Sequence, residues 1–182
     1  MLISQDWVTR ILGAKNPGWS VSAADMDSGF VRVGFETEGY AAVPESTGPL
    51  VIGQVVEIEE LTQFKKPIRY CQVNVGQANG TGELQGIICG ARNFRLNDYV
   101  VVALPGSELP GGFKIAARET YDHISNGMMC SGAELGLGAQ ANGIIVLGDE
   151  VADKVGEDAR RGGLCFRRRD RKPDADGLQV GQ

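Results

Sequence analysis

Ser125-Asn126-Gly127-Met128-Met129-Cys130-Ser131-Gly132-Ala133-Glu134-Leu135-Gly136-Leu137 is the stretch whose reading decides the fold. Asn126-Gly127 is a turn dipeptide, because both residues tolerate the left-handed backbone that tight turns require. Met128, Met129 and Cys130 then read as a short strand that fills an interior. Ser131 is a helix N-cap, and Glu134 three residues later completes a capping box. Leu135 and Leu137 end a one-turn helix bounded by glycines. Each residue type here has a local structural reason, so the run reads as turn, core and cap ahead of a nucleotide pocket. Leu109-Pro110-Gly111-Gly112 just upstream reads as a turn and not as a phosphate cradle, since no helix start follows it.

Working outward, short strands recur. Val51–Glu59 alternates, Tyr70–Val75 alternates again, and Gln77–Glu83 with Asn79-Gly80 inside is a loop. Strands are expected over Leu84–Cys89, Tyr99–Leu104, Phe113–Ala116, Gly127–Cys130 and Gly143–Leu147. Five or more short strands with one short late helix predict a mainly β protein, an OB-fold five-stranded barrel. Twenty-six glycines among 182 residues suit short strands and tight turns better than long helices.

Before the barrel a small α+β segment is expected. Residues 4–13 read as a helix capped by Ser4, with Trp7, Val8, Ile11 and Leu12 on one face. Residues 20–28 suggest a second, weaker helix, and Phe30–Phe35 alternates like a strand. Pro44-Glu45-Ser46-Thr47-Gly48-Pro49 is a linker. The expected domains are therefore residues 1–46, a barrel over 47–152, and an Arg-rich, disordered tail over 153–182.

Charge narrows the function classes. The net charge is −5, but Arg160, Arg161, Arg167, Arg168, Arg169, Arg171 and Lys172 lie within 13 residues. Residues 1–159 thus carry eleven bases against twenty acids, a poor field for strong nucleic-acid binding by the body alone. Cys71, Cys89, Cys130 and Cys165 are widely spaced, and one histidine leaves little for a zinc site. They read as reduced core thiols. No apolar run approaches the ~18–20 residues of a membrane span, and the opening residues lack a secretory pattern. A cytoplasmic protein with neither a membrane nor a DNA partner is expected.

Five motifs carry a family resemblance: Gln85–Phe94, Val101–Gly106, Leu109–Ile115, Ser125–Leu137 and Gly143–Leu147. In order and spacing, across residues 4–159, they resemble the opening, tRNA-binding region of bacterial phenylalanyl-tRNA synthetase β subunits. Phe64-Lys65-Lys66-Pro67-Ile68-Arg69-Tyr70-Cys71 is similar to the actinobacterial branch, where many other bacteria have a His-Pro-x-Ala-Asp loop. Residues 161–182 depart from the family, whose chain returns at this point to complete the small opening domain. The resemblance implies an OB-fold tRNA-binding module of an (αβ)₂ enzyme that charges tRNA(Phe) with phenylalanine. It implies ATP and Mg²⁺ for that holoenzyme and none for these residues, the α subunit and tRNA as partners, and no aminoacylation or editing site here.

An OB barrel grips looped RNA with cations along the backbone and aromatics on the bases. Candidate tRNA-binding residues are Lys65, Lys66, Arg69, Arg92, Asn93, Arg95, Lys114, Arg118, Asn126 and Ser131, with Phe64, Phe94 and Phe113 as stacking candidates. The alternatives are an assembly module without RNA contact, or a cysteine enzyme using Cys130 or Cys89 with His123 as base.

Overall fold

The computed structural model describes Val8, Asn16 and residues 18–37, 39–40, 45–137 and 143–160. The helix expected over residues 4–13 lies outside the described residues apart from Val8, as does everything from Arg161 onward. Two compact units divide the chain, one containing residues 18–40 and the other residues 45–160.

In the first unit α1 spans Ala23–Arg32. Ser22 caps it by accepting from the Asp25 N–H at 3.1 Å, and Asp25 and Arg32 complement its two ends. The strand expected over Phe30–Phe35 is not formed; Phe30–Arg32 is the last turn of this helix. Gly34, at φ 88°, supplies the left-handed stop, and the Phe35 N–H folds back onto the Phe30 carbonyl. Six alternating residues cannot outweigh a capped helix that already runs into them.

The second unit is a nearly closed antiparallel barrel. Its strands are β1 (Leu50–Leu61), β2 (Ile68–Asn74), β3 (Gln85–Cys89), β4 (Tyr99–Ala103), β5 (Glu108–Leu109), β6 (Phe113–Lys114), β7 (Arg118–Thr120), β8 (His123–Ser125), β9 (Met128–Met129) and β10 (Val146–Leu147). The expected strands are present, β1 extended at both ends, β2 starting two residues earlier and the others trimmed, while β5, β7 and β8 were not anticipated. Strand order runs β10-β4-β1-β2-β3, with β9 also on the outer edge of β4. Long β1 pairs with β4 through Leu50–Gln54 and with β2 through Gln54–Leu61, shifting register between Val55 and Glu57. That irregularity lets one strand serve both halves of a coiled sheet. Gly53 makes the bend possible, since a Cβ there would lie 2.7 Å from Val73 and 2.8 Å from Val102.

Closure comes from the opening stretch. The Asn126 N–H donates to the Gly86 carbonyl at 2.8 Å, and Gln85 Nε2 donates to the Asn126 carbonyl at 2.6 Å. Ser125 Oγ accepts the Ile88 N–H at 3.0 Å. Residues 125–129 thereby join the free edge of β3 to β4, and successive antiparallel pairings make β3 and β9 run the same way. Gly127 sits at φ 131°, where a Cβ would lie 2.7 Å from the Ala103 carbonyl oxygen. The capping box forms as read, with Glu134 Oε2 accepting the Ser131 N–H at 2.6 Å and Ser131 Oγ the Glu134 N–H at 3.3 Å, but the residues after it, 132–136, are turns and not the expected one-turn helix.

Two packed clusters explain why β4 reads as an unbroken apolar run. Val100 and Val102 face the barrel interior with Val55, Cys71, Val73, Ile87, Phe94 and Met129. Val101 and Ala103 face a second layer with Ile52, Leu109, Ile115, Cys130, Leu135 and Val151. A strand buried on both faces has no polar side to show.

The chain leaves the barrel beside the point where it joins. Residues 156–159 bond along the start of β1, and Ala159 is fully buried. Arg160 pairs with Asp158 at 2.8 Å and donates to the carbonyls of Ser46 and Gly48. The folded unit thus continues through Arg160, eight residues past the expected end of the barrel.

Replacing Ser125 by Ala strands the Ile88 N–H at the closing seam. A loss of about 1–3 kcal/mol is expected from the urea unfolding midpoint, with lost hydrogen-exchange protection at Ile88.

Candidate nucleic-acid interface

The candidate residues divide by what their polar groups already touch. Arg69 is buried; its Nε donates to Glu60 at 2.8 Å, its Nη1 to the Phe94 carbonyl at 3.0 Å, and its guanidinium lies 5.1 Å from the Phe94 ring centroid. Arg92 grips the same Glu60 through two bonds, at 2.8 and 3.2 Å. Asn93 is buried and clamps the Ile144 backbone, donating to its carbonyl at 2.8 Å and accepting its N–H at 3.0 Å. Phe94 is fully buried, so it offers no face to a base. Asn126 closes the barrel and Ser131 caps the turn. All six are committed to holding the fold.

Arg95 is exposed, and its N–H donates to Asp98. The remaining candidates gather on one side. Phe64, Lys65 and Lys66 occupy the turn joining β1 to β2, with both lysines exposed. Phe113, Lys114 and Arg118 lie on the long connection from β4 to β9, and the Arg118 guanidinium stands 5.7 Å from the Phe113 ring centroid. These three line a shallow groove of about 160 Å³ with Ile88, Ser125 and Met128. The groove is floored by the outward face of β3, which alternation turns away from the interior.

Residues not anticipated join the two clusters. The β7–β8 hairpin carries Tyr121-Asp122 at its tip, and the Tyr121 ring meets the Phe64 ring at 4.8 Å, nearly edge-on. His123 lies 4.2 Å from Tyr70, ring to ring; its Nδ1 is 2.7 Å from the Tyr121 carbonyl oxygen and its Nε2 3.8 Å from Glu59. A two-residue turn without glycine gave no sequence signal for this hairpin.

Burial sets the chemistry of the thiols. It pushes Cys71 and Cys130 up to about 12 and Cys89 up to about 11, so all three stay protonated near neutrality. A nucleophilic cysteine needs the thiolate. Cys130 Sγ donates to the Met128 carbonyl, while His123 is engaged with Tyr70 and Tyr121. The cysteine-enzyme alternative finds no support here. Among the described residues, no group of three or more His, Cys, Asp or Glu side chains is placed to hold a metal, and no helix is long and apolar enough to cross a membrane.

Glu60 is the electrostatic hub. Partial burial alone would raise its pKa, but hydrogen bonds from Arg92 and Arg69 outweigh burial and hold it below the ordinary 4.5. A carboxyl depressed in the fold contributes stability above pH 4.5, and that contribution is lost as pH falls through the folded value.

Comparison with known proteins gives a consistent picture. A family described as "Putative tRNA binding domain" matches residues 50–156. A phenylalanine–tRNA ligase β subunit of Corynebacterium jeikeium is 68% identical over 165 residues, covering 88% of this chain and 19% of its own length. That of Corynebacterium diphtheriae is 67% identical over 161 residues with the same coverage, and that of Nocardia farcinica 54% over 157 residues, covering 84% and 18%. The chain thus spans about a fifth of these relatives. Among solved structures, the CsaA chaperone protein from Picrophilus torridus aligns at 11% identity and a TM-score of 0.38, covering 54% of this chain and 78% of its own.

Two measurements check the site. Glu60→Gln weakens the hub and is expected to cost about 1 kcal/mol at pH 7, the scale of a partly exposed charged bond. Its deficit against the unsubstituted chain should shrink in urea titrations carried below pH 4.5. In a Cys165→Ser chain, no thiol should label rapidly at pH 8 until denaturant is added.

Proposed function

We propose that this chain, which belongs to the tRNA-binding domain family, is a tRNA-contacting barrel of a phenylalanine–tRNA ligase β subunit. One juxtaposition carries the reading. The β1–β2 turn, with Phe64, Lys65 and Lys66, meets the β4–β9 connection, with Phe113, Lys114 and Arg118, beside the outward face of β3. OB barrels bind oligonucleotides on the face of their second and third strands, between these same two loops. The cations take phosphates and the aromatics take bases.

In this reading residues 1–46 open the subunit, the barrel occupies residues 47–160, and the Arg-rich residues beyond it add sequence-independent attraction for polyanions. The assembled enzyme is the (αβ)₂ heterotetramer of the cytoplasm, charging tRNA(Phe) with ATP and Mg²⁺ at an aminoacylation site on the α subunit. Residues 45–160 assist by holding tRNA and perform no step of the ligation.

A second reading, an assembly module without RNA contact, is favoured by charge. Residues 50–147 hold seven bases against nine acids, and two of those bases are bound to Glu60.

Filter binding of a tRNA(Phe) transcript separates the two. The probe is the full-length chain with Arg161, Arg167, Arg168, Arg169, Arg171 and Lys172 replaced by serine. Binding should weaken steeply between roughly 50 and 200 mM salt. Replacing Lys65 and Lys66 by alanine should flatten the salt slope by about 1–2, and Phe113→Ala should cost about 1–3 kcal/mol. No binding at low salt leaves the assembly reading.

A further inference from the structure

The tip of the β7–β8 hairpin is built against the preference of its own backbone. Thr120 pairs with His123, leaving Tyr121-Asp122 as a two-residue turn. Both are left-handed, Tyr121 at φ 52° and Asp122 at φ 59°. A hairpin turn of that form favours Asn-Gly or Asp-Gly, and a bulky aromatic is an outlier in it. Such outliers persist where the surroundings hold them and cluster at binding sites.

What the position provides is a ring. Tyr121 is half-buried, and Phe64 braces it edge-on at 4.8 Å across the gap between the two loops. Lys65 and Lys66 follow Phe64 directly and are exposed. The Tyr70–His123 pair continues the aromatic surface two residues further on, where β8 begins. Charge around the ring is unequal. Asp122 next to it, and Glu59 beside His123, repel a phosphate there while leaving the face of a neutral base acceptable. From Arg118 in the groove to Tyr121 is three residues of strand, roughly 10 Å, so the two positions suit neighbouring nucleotides.

We propose that Tyr121 is a base-stacking residue that commits this surface to unpaired, looped RNA. Its ring, braced by Phe64, takes the face of one splayed base; the adjoining phosphates run along Lys65 and Lys66, and a neighbouring base enters the groove beside Phe113. Bases inside a duplex have no free face to give, so the site selects loops over helices. This rests on the RNA-binding reading above and adds to it the residue that would enforce a preference for loops.

Tyr121→Asn tests it, because asparagine is at ease in the left-handed region. The full-length chain with the serine-substituted tail is titrated with the tRNA(Phe) transcript, with a short single-stranded RNA carrying 2-aminopurine, and with a blunt RNA duplex. Tyr121→Asn should bind the transcript and the single strand about tenfold or more weakly, and should lose the fluorescence quenching that stacking causes. Duplex binding and the melting temperature should not fall. Tyr121→Phe should restore the quenching, and Asp122→Gly, which keeps the ring and removes a repelling charge, should bind as well or better. If Tyr121→Asn matches a chain that binds RNA, the stacking role is overturned and the RNA reading stands. Loss of binding in Asp122→Gly to the same extent overturns it too, assigning the effect to turn geometry. If the unsubstituted chain binds no RNA, both fall.

Discussion

Everything on the candidate surface depends on how the barrel is closed. Residues 125–129 must bond to β3 on one side and β4 on the other, and they do so through the Ser125 hydroxyl, the Asn126 backbone with its bonds to Gly86 and the Gln85 amide, and two ladder pairs to β4 in place of a long strand. So short a closing strand leaves most of the β4–β9 connection free to travel. It goes out through the β5–β6 hairpin, returns as β7–β8, and lies over β3 before the seam begins. The groove with Phe113 and Arg118, and the tip with Tyr121, are consequences of that path. Gly127 is where it turns in, at a backbone angle and a closeness to Ala103 that a side chain would spoil.

Charge is divided by the same architecture. Glu60 stands at the far end of β1 and draws Arg69 and Arg92 onto itself, tying β2 and the loop after β3 to β1. Arg69 also covers Phe94, so one cation serves as ion pair, hydrogen-bond donor and packing surface. Of the outward candidate cations, Lys65 and Lys66 sit on the β1–β2 turn, while Lys114 and Arg118 stand on the short strands β6 and β7, with Glu108 across from Lys114. An acidic body can still present a local cationic edge when its acids are spent on internal pairs or set beside aromatic faces. The far end of the unit is tied differently, by Arg160 bridging Asp158 to the Ser46 and Gly48 carbonyls. The segments that enter and leave the barrel are therefore held together independently of the candidate surface.

Much of this was legible in the residues. Alternation marked β1 and β2; the capping box at Ser131 and Glu134 formed as spelled; and Asn126-Gly127 turned where such a dipeptide turns. These are signals between residues within four or five positions of one another, and local chemistry decides them. The strand reading at Phe30–Phe35 failed for the same reason in reverse, since the helix capped at Ser22 runs into that window and stops only at Gly34 within it.

The candidate site was half legible, because residue type alone cannot tell a cation or ring that faces outward from one that faces inward. Arg69 and Lys66 are three positions apart, yet one is buried beside Phe94 and the other stands in solvent. Phe94 and Phe113 were equal candidates until packing put the first in the core. Tyr121 carried no mark and His123 was read only as a possible base, since their neighbours Phe64 and Tyr70 are more than fifty residues away in sequence. Short-range preference in the residues was enough for the main barrel strands, the Asn126-Gly127 turn, the Ser131 cap and the family resemblance, but not for β5, β7 and β8. Only the tertiary structure decided which side chains share a surface, because that depends on where a closing barrel brings distant turns together.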